Sequence, residues 1–287
     1  MTFSQTNRML GYPDDARLLI INADDFGMYH AINAAILRAL QQGVVRSTSL
    51  MVPCPLALHA IQLLKQNPDI PFAVHLTIIR DYAHWNWRPV TCGEKVPTLV
   101  DETGAFYLFD RMGELLARAK LDELEVEFRA QIDAVLAAGL KPTHLDWHAL
   151  RFGARTDIFD LMLRLAREYG LAMRVIGQSY IEQVRNLGLP ASDYMMLDSM
   201  SLPTDGKSAR YAQLLRELPA GLSEWAVHPA LGNEEAQAVD PALWAIRQAD
   251  FEFVTSPEAR AIIEREGIIL LDYRPLQAVW QGKPPHG

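Results

Sequence analysis

Hydrophobic positions along this chain alternate between short continuous runs and runs with helical spacing. The first run, RLLIINA at 17–23, is typical of a strand buried on both faces, and 29–42 then carries apolar residues at helical spacing. The same succession continues to the end of the chain. Further strands are predicted at 44–52, 72–78, 143–148, 172–176, 222–228, 251–254 and 268–271. Further helices are predicted at 55–66, 111–138, 156–169, 207–218 and 257–266, and another opens at 240–241.

Strand and helix alternate seven or eight times, which predicts a parallel β/α architecture. The pattern fits either a barrel or a doubly wound sheet. No stretch has the composition of an interdomain linker, so one domain is expected. Two segments, 79–110 and 177–206, show no clear period, and the first is a long loop of the kind that is usually functional.

The charge balance narrows the class of protein. The 287 residues include 27 Lys and Arg against 35 Asp and Glu, a formal charge of −8. This balance argues against nucleic-acid binding and against attraction to anionic membranes. The hydrophobic content of 49% excludes intrinsic disorder. No apolar run reaches the ~18 residues of a membrane span, and the start of the chain shows no signal-peptide core, so a cytoplasmic protein is expected.

Two adjacent aspartates, Asp24 and Asp25, follow the first predicted strand. Ligands of parallel β/α folds bind at the carboxyl ends of the strands. Neighbouring carboxylates repel each other unless a cation or a proton intervenes. Because successive strand residues point in different directions, one aspartate can bind a metal while the other faces a substrate. Helix capping accounts for one aspartate but poorly for both, so the pair favours a functional site.

A row of ionisable residues lies on the strand predicted at 143–148. With a period of two, His144, Asp146 and His148 share one face of this strand. Buried polar side chains are costly unless they form hydrogen bonds or bind an ion. A single buried histidine is most often a core residue, but three ionisable residues in register favour a metal or acid–base site.

Two more histidines, His75 and His228, stand near the ends of other predicted strands. Each is a weak signal by itself, but in a barrel the carboxyl ends of all strands converge on one pocket. There, two imidazoles and one carboxylate leave open positions on a divalent ion, as catalysis requires. A spare carboxylate can then deprotonate water, and a spare histidine can protonate a leaving group.

Four short motifs in this order resemble the YdjC-like carbohydrate deacetylases, which include chitooligosaccharide deacetylases and hopanoid-associated deacetylases. The motifs are Asn-Ala-Asp-Asp-Phe-Gly at 22–27, Val-His-Leu-Thr at 74–77, His-Leu-Asp-Trp-His at 144–148 and His-Pro-Ala at 228–230. The segments 96–101 and 271–276 are similar to the family as well. Each motif is short, but four with the right order and spacing are fairly specific.

The resemblance implies a distorted (β/α) TIM-like barrel as a single domain over 17–277. Flexible tails are then expected at 1–16 and 278–287. It also implies a metal-dependent hydrolase that removes the acetyl group from an N-acetylated amino sugar or oligosaccharide. The partner would be a small carbohydrate, and a homodimer is one assembly to consider.

The resemblance further implies one divalent ion held by Asp25, His75 and His148. Magnesium or zinc is the first expectation for this ion. Imidazole ligands favour Zn, Co or Ni, whereas a site completed by water would also take Mg or Mn. The sequence leaves the choice among these metals open.

The remaining roles are assigned by motif position in the same way. Asp24 would be the general base and His228 the general acid. Asp146 would orient a neighbouring residue, and Arg174 would pair with a carboxylate or with the substrate. All four are expected at the same pocket as the ion.

Two aromatic residues in the long loop are candidates for binding the sugar. Trp85 and Trp87 are two positions apart and can face the same way, so we expect them to stack on sugar rings. Packing of both tryptophans onto the barrel is an equally open alternative.

One segment departs from the family pattern. In the chitooligosaccharide branch the histidine motif continues into further histidines, whereas here it continues as Ala-Leu-Arg-Phe-Gly at 149–153. The replaced histidines are not among the expected ligands, so hydrolysis is still expected. The difference bears on which acetylated sugar is the substrate, and the sequence leaves this open.

Three other functions stay open at this stage. A metal-dependent hydrolase of a phosphoester or of another amide would use Arg80, Arg151 and Arg174 at the pocket mouth. A non-catalytic sugar- or metal-binding barrel is the second, although Asp24 argues against it because binding alone needs no spare carboxylate. The third is a structural protein whose histidines are all core residues, and it predicts no bound metal.

Overall fold

The computed structural model describes residues 4–285. Its strands are β1 (Arg17–Phe26), β2 (Ser47–Leu50), β3 (Phe72–Leu76), β4 (Ile79–Arg80), β5 (Tyr107–Leu108), β6 (His144–Trp147), β7 (Ala172–Met173), β8 (Leu197–Asp198), β9 (Gly221–Val227) and β10 (Ile269–Leu271). Its helices are α1 (Gln5–Met9), α2 (His30–Gln42), α3 (Ala57–Gln66), α4 (Met112–Arg118), α5 (Leu121–Ala137), α6 (Thr156–Tyr169), α7 (Gln178–Asn186), α8 (Lys207–Arg216), α9 (Glu234–Val239), α10 (Trp244–Val254), α11 (Pro257–Arg265) and α12 (Arg274–Trp280).

Eight of these strands form one parallel sheet. Seven follow the order β7-β6-β3-β2-β1-β9-β8, and β10 pairs with the first half of β1. Helices surround the curled sheet, and the domain is a distorted (β/α) barrel, so the predicted fold is confirmed. None of the helices within residues 4–285 is long and apolar enough to cross a membrane.

The central strand β1 carries an irregularity next to the expected site. Its register with β2 shifts between Ala23 and Phe26, and Asp25 within this interval has a φ of +74°. Aspartate tolerates this left-handed conformation better than most residues, because its short polar side chain can form local hydrogen bonds. The irregularity interrupts the strict alternation of side chains at the position where Asp24 and Asp25 end the strand.

Both segments expected as tails contact the rest of the domain where the structure describes them. Thr6 in α1 is buried and donates a hydrogen bond to the carbonyl of Ala191 at 2.6 Å. At the other end, the buried Trp280 closes α12 and donates to the carbonyl of Pro190 at 3.1 Å. Ser4 likewise donates to Asp193, and Gln281 donates to the carbonyl of Gly170. Hydrophobic periodicity does not reveal such long-range hydrogen bonds. Residues 1–3 and 286–287 of the expected tails lie outside the described residues.

The strand predicted at 251–254 is wrong, because these residues complete the helix α10. The buried side chains of this helix are Arg247, Asp250, Phe253 and Val254. This spacing is helical, but two of the four residues are charged, so an apolar pattern shows only the last part of the face. The helix expected to open at 240–241 is present but begins later, since α10 starts at Trp244, whose N–H donates to the carbonyl of Asp240 at 3.0 Å.

The two segments without a clear period contain short elements. The long loop at 79–110 holds β4 and β5, which pair with each other in parallel, apart from the main sheet. The segment 177–206 holds α7 and the edge strand β8. Both segments contribute residues to the site described next.

Candidate active site

A cavity of about 720 Å³ lies at the carboxyl ends of the parallel strands. Ionisable residues in its lining include Asp24, Asp25, His75, His148, Arg174, Arg247 and His228. Apolar and aromatic residues in the lining include Phe109, Trp147, Leu150, Phe152, Tyr180, Met196 and Met200. The structure therefore brings together at one cavity six of the seven residues expected to carry the chemistry.

Three of these residues form a compact, buried group. Asp25, His75 and His148 each offer a ligand atom, and these atoms lie within 4.8 Å of one another. Oδ1 of Asp25 is 3.6 Å from Nε2 of His75 and 3.1 Å from Nδ1 of His148. Two imidazoles and one carboxylate are a common donor set for a divalent transition metal. The residues present therefore fit such an ion.

His75 is oriented by Asp146, the seventh expected residue, which lies behind it. Nδ1 of His75 donates to Oδ1 of Asp146 at 2.8 Å, so its Nε2 faces Asp25. Asp146 also accepts a hydrogen bond from Ser49 Oγ at 2.5 Å. Burial lowers the pKa of His75, but the carboxylates of Asp146, Asp25 and Asp24 together raise it to about 9. A carboxylate behind a histidine is the usual arrangement around a metal ligand.

His148 has a similar partner, Asp81, that the sequence reasoning missed. Nδ1 of His148 faces Asp25, and its Nε2 lies 3.0 Å from Oδ1 of Asp81. Burial lowers the pKa of His148, but Asp81 and Asp25 raise it to about 10. The position of Asp81 just after β4 is a signal of the same kind that identified the other residues, but β4 has only two residues and shows no period.

Asp24 is held by a buried arginine. Nη1 and Nη2 of Arg174 donate to its two oxygens at 2.7 and 2.9 Å, and Asn22 donates to Oδ1 at 2.7 Å. Burial raises the pKa of Asp24, but the guanidinium of Arg174 outweighs it, so the net pKa is lowered. Arg174 also donates to Glu224 at 2.8 Å and lies 3.1 Å from Asp146. It therefore pairs with carboxylates, one of the two roles expected for it.

Asp24 and Asp25 point to the same cavity, not to different sides. Oδ2 of Asp24 lies 4.0 Å from Nε2 of His75 and 4.0 Å from Nε2 of His228. The shift in register and the left-handed Asp25 remove the alternation on which the expectation of different directions rested. Asp24 therefore stands between the group of three and His228, which follows β9.

His144 does not join the cavity, although it was expected to share a face with Asp146 and His148. Its ring stacks on Tyr273 with centroids 3.5 Å apart, and its Nδ1 lies 2.9 Å from Thr143 Oγ1. Burial lowers the pKa of His144 to about 3. This histidine is a neutral core residue.

The two tryptophans expected to bind sugar do not line the cavity within the part of the chain that the structure describes. Trp87 is 1% exposed and stacks on Trp85 with centroids 5.0 Å apart. From the same loop, Asp81, Tyr82 and Phe109 line the cavity or its mouth. These contacts agree with the alternative, in which both tryptophans pack the loop onto the barrel.

The fold and this site define a class: (β/α) barrel proteins with a buried aspartate–histidine group at the carboxyl ends of the strands. Residues 18–265 match the family described as YdjC-like protein, and the chain belongs to this family. The resemblance seen in the four motifs is confirmed.

Two carbohydrate deacetylases and one solved structure are similar to this chain over nearly their whole length. A carbohydrate deacetylase of Geobacillus stearothermophilus is 31% identical over 263 residues, which cover 90% of this chain and 97% of the relative. A carbohydrate deacetylase of Thermoanaerobacter pseudethanolicus is 28% identical over 258 residues, with 90% and 98% covered. The solved structure of an Enterococcus faecalis protein described as a cellobiose-phosphate cleavage protein has a TM-score of 0.79, 30% identity, and coverage of 90% and 98%.

Proposed function

We propose that this protein removes the acetyl group from an N-acetylated amino sugar or oligosaccharide with the help of one divalent ion. The observation that carries the proposal is the position of Asp24. Its Oδ2 lies 4.0 Å from a histidine of the metal-ligand group and 4.0 Å from His228. A base and an acid on the two sides of one reacting carbon are what amide hydrolysis needs. The deacetylase relatives support the same reaction.

Asp25, His75 and His148 would hold the ion, which would be zinc or magnesium. When bound, a divalent ion supplies polarisation of the acyl oxygen and lowers the pKa of water. Asp146 would keep His75 in the tautomer that presents Nε2. Asp81 would accept from Nε2 of His148 and so keep that ring in the tautomer that presents Nδ1.

The proton transfers fall to two residues of this chain. Asp24 stays ionised because Arg174 lowers its pKa, and it accepts the proton of the attacking water. His228 delivers a proton from Nε2 to the sugar nitrogen as the C–N bond breaks. The products are acetate and a free amino sugar, so one water is consumed for each bond broken.

The substrate would contact an aromatic and apolar lining. Trp147 and Tyr180 offer ring surfaces at the cavity, where sugar rings can stack. Phe152 also lines the cavity, and it lies in the segment that departs from the chitooligosaccharide branch. We therefore propose that this segment, and not Trp85 or Trp87, distinguishes the sugar.

Hydrolysis of a phosphoester receives less support from the charges. Arg80 donates to Asp101 at 2.6 Å and to backbone carbonyls, and Arg174 is committed to carboxylates. Of the three arginines considered for phosphate, Arg151 alone keeps a place in the cavity lining without a carboxylate partner among the described residues. Amide hydrolysis needs no such cationic cluster.

The test is acetate release from N-acetylglucosamine oligomers, with and without chelator, beside a panel of phosphoesters. We expect release that chelation abolishes and that added Zn²⁺ or Mg²⁺ restores. Asp24→Asn should lower kcat by about 10²–10⁴-fold, while elemental analysis shows that it binds the ion as wild type does. Release in the presence of chelator, or full activity of Asp24→Asn, would contradict the proposal.

A further inference from the structure

The imidazole of His228 is held from behind by a buried chain of hydrogen bonds. Its Nδ1 lies 2.8 Å from Oγ of Ser199, and this hydroxyl donates to Oδ2 of Asp250 at 2.5 Å. Ser199 and Asp250 are both 0% exposed. These hydrogen bonds therefore connect His228 at the cavity to the carboxylate of Asp250 in the core.

Asp250 is held as an anion. Its Oδ1 accepts from the hydroxyl of Tyr211 at 2.7 Å and lies 2.6 Å from the ammonium of Lys207. Its Oδ2 accepts from Ser199 and, at 2.8 Å, from the backbone N–H of His228. A buried carboxylate with four donors, one of them charged, is stabilised as the anion, and an anion can only accept hydrogen bonds.

Counting protons then fixes the tautomer of His228. The hydroxyl of Ser199 has one proton, and it gives this proton to Asp250. Its contact with His228 must therefore be one in which it accepts, so Nδ1 of His228 carries a proton. The other nitrogen, Nε2, is left facing Asp24 at 4.0 Å.

We propose that Ser199 and Asp250 are positioning residues that fix the Nδ1–H tautomer of His228 and present Nε2 to the substrate nitrogen. This inference rests on the proposed role of His228 as the general acid. In the charged imidazole, the Nε2 proton passes to the amine as the C–N bond breaks. The Nδ1 proton stays on the ring, donated to Oγ of Ser199, so His228 returns to one defined neutral tautomer.

The other charged groups around His228 do not provide this hydrogen bond. Oδ1 of Asp198 is 4.0 Å from Nδ1, and this oxygen accepts from the backbone N–H of Met200. Asp24 faces the opposite nitrogen. Ser199 is therefore the group at hydrogen-bonding distance from Nδ1.

One helix holds both sides of the site. Arg247 and Asp250 are three positions apart on α10, and both are buried. Arg247 donates to Asp25, and Asp250 acts on His228 through Ser199. The helix α10 therefore contacts both the metal-ligand group and the hydroxyl behind the acid.

The test is the ¹⁵N NMR spectrum of the histidine side chains in the full-length protein, with His228 assigned by comparison with His228→Gln. At a pH where the ring is neutral, we expect the Nδ1–H tautomer in wild type. Ser199→Ala should shift the ring toward Nε2–H and lower kcat by about 10-fold or more, since acid catalysis contributes ~10²–10⁴-fold. KM should change less than 2-fold, because acid catalysis acts in the transition state and not on substrate binding. Ser199→Thr keeps the hydroxyl and should therefore keep the wild-type tautomer.

The matched control is Tyr211→Phe, which removes one hydroxyl that donates to Asp250 and also contacts Ser199 but has no hydrogen bond to His228. It should lose comparable stability while the tautomer of His228 stays unchanged. A wild-type ring in the Nε2–H form, or a tautomer that Ser199→Ala leaves in place, would overturn the proposal. The wild-type spectrum decides even if Ser199→Ala does not fold.

The same spectrum separates this inference from the proposed function. The tautomer is measured without any substrate turnover. An Nδ1–H ring in a protein that releases no acetate leaves the positioning network in place and rejects the deacetylase. Acetate release by a protein with an Nε2–H ring would support the deacetylase and reject the positioning network.

Discussion

Arg247 donates from Nη1 to Oδ2 of Asp25 at 2.7 Å, and the other oxygen of this carboxylate faces His148 at 3.1 Å. Arg247 is itself fixed by Asp240, which accepts from its Nε at 2.7 Å. Burial raises the pKa of Asp25, but Arg247 and the hydrogen bonds from the two histidines hold it well below its usual range. The arginine thus neutralises one side of the carboxylate and leaves Oδ1 for an ion.

Replacing this arginine tests how its charge and the ion share Asp25. In Arg247→Met, two buried carboxylates lose their partner, and we expect a loss of about 3–5 kcal/mol in the free energy of unfolding. Added Zn²⁺ should recover part of this loss, because the ion takes over the neutralisation of Asp25. Urea unfolding with and without Zn²⁺ measures both effects, with Arg247→Lys as the control that keeps the charge. A smaller Zn²⁺ effect in Arg247→Met than in wild type would show that the arginine acts by orientation.

Metal binding should depend steeply on pH. The pKa of His75 is raised to about 9 and that of His148 to about 10 in the metal-free site, so both rings are protonated at neutral pH. An ion that takes both nitrogens must release about two protons, and its affinity should rise up to about 100-fold per pH unit below pH 9. Calorimetry in two buffers of different ionisation enthalpy counts these protons. Binding without proton release at pH 7 would contradict the assignment of these ligands.

The same raised pKa values predict how the stability of the metal-free protein changes with pH. A folded pKa above the ordinary 6.5 adds stability that is complete below pH 6.5. This contribution is lost as the pH rises through about 9 and about 10. Urea unfolding of the chelated protein between pH 6 and pH 10 should therefore show declining stability, and His75→Gln should flatten the decline.

We expect Arg174 to stabilise the folded protein as well as to lower the pKa of Asp24, the proposed base. It compensates Asp24, Asp146 and Glu224, which are all buried. Arg174→Met leaves these carboxylates without their cation, and we expect a loss of about 3–5 kcal/mol. The matched control is Arg164→Met, since its ion pairs are exposed and worth ~0–1 kcal/mol. Equal losses in the two variants would show that the buried cluster is compensated in another way.

The cavity lining predicts which aromatic residue affects substrate binding. Tyr180 lines the cavity, whereas Trp85 does not. Tyr180→Ala should raise KM for the acetylated sugar by roughly 5-fold or more, in line with a ring contact worth ~1 kcal/mol, and should change kcat little. Trp85→Ala should leave KM within 2-fold of wild type, because its contacts serve packing. A larger rise in KM for Trp85→Ala than for Tyr180→Ala would indicate that the loop tryptophans bind the substrate.

Much of the site was visible in the sequence because its residues end strands. Asp24, Asp25, His75 and His228 each follow or close an apolar run, and the parallel barrel brings the ends of such runs together. His144 shows the limit of this reasoning. It shares the predicted strand face with Asp146, yet its ring packs on Tyr273, a residue of the distant carboxyl-terminal region.

The residues that hold the site in place were decided by the tertiary structure. Arg247 reaches Asp25 from 222 positions away, and Asp250 reaches His228 through Ser199. Arg247 and Asp250 both lie on α10. Because two of its four buried residues are charged, the hydrophobic pattern of this helix shows no helical period, and its last turn resembles a strand. Periodicity reports which positions are apolar along one element. It carries no information on which buried charge meets which, because that depends on how distant elements pack.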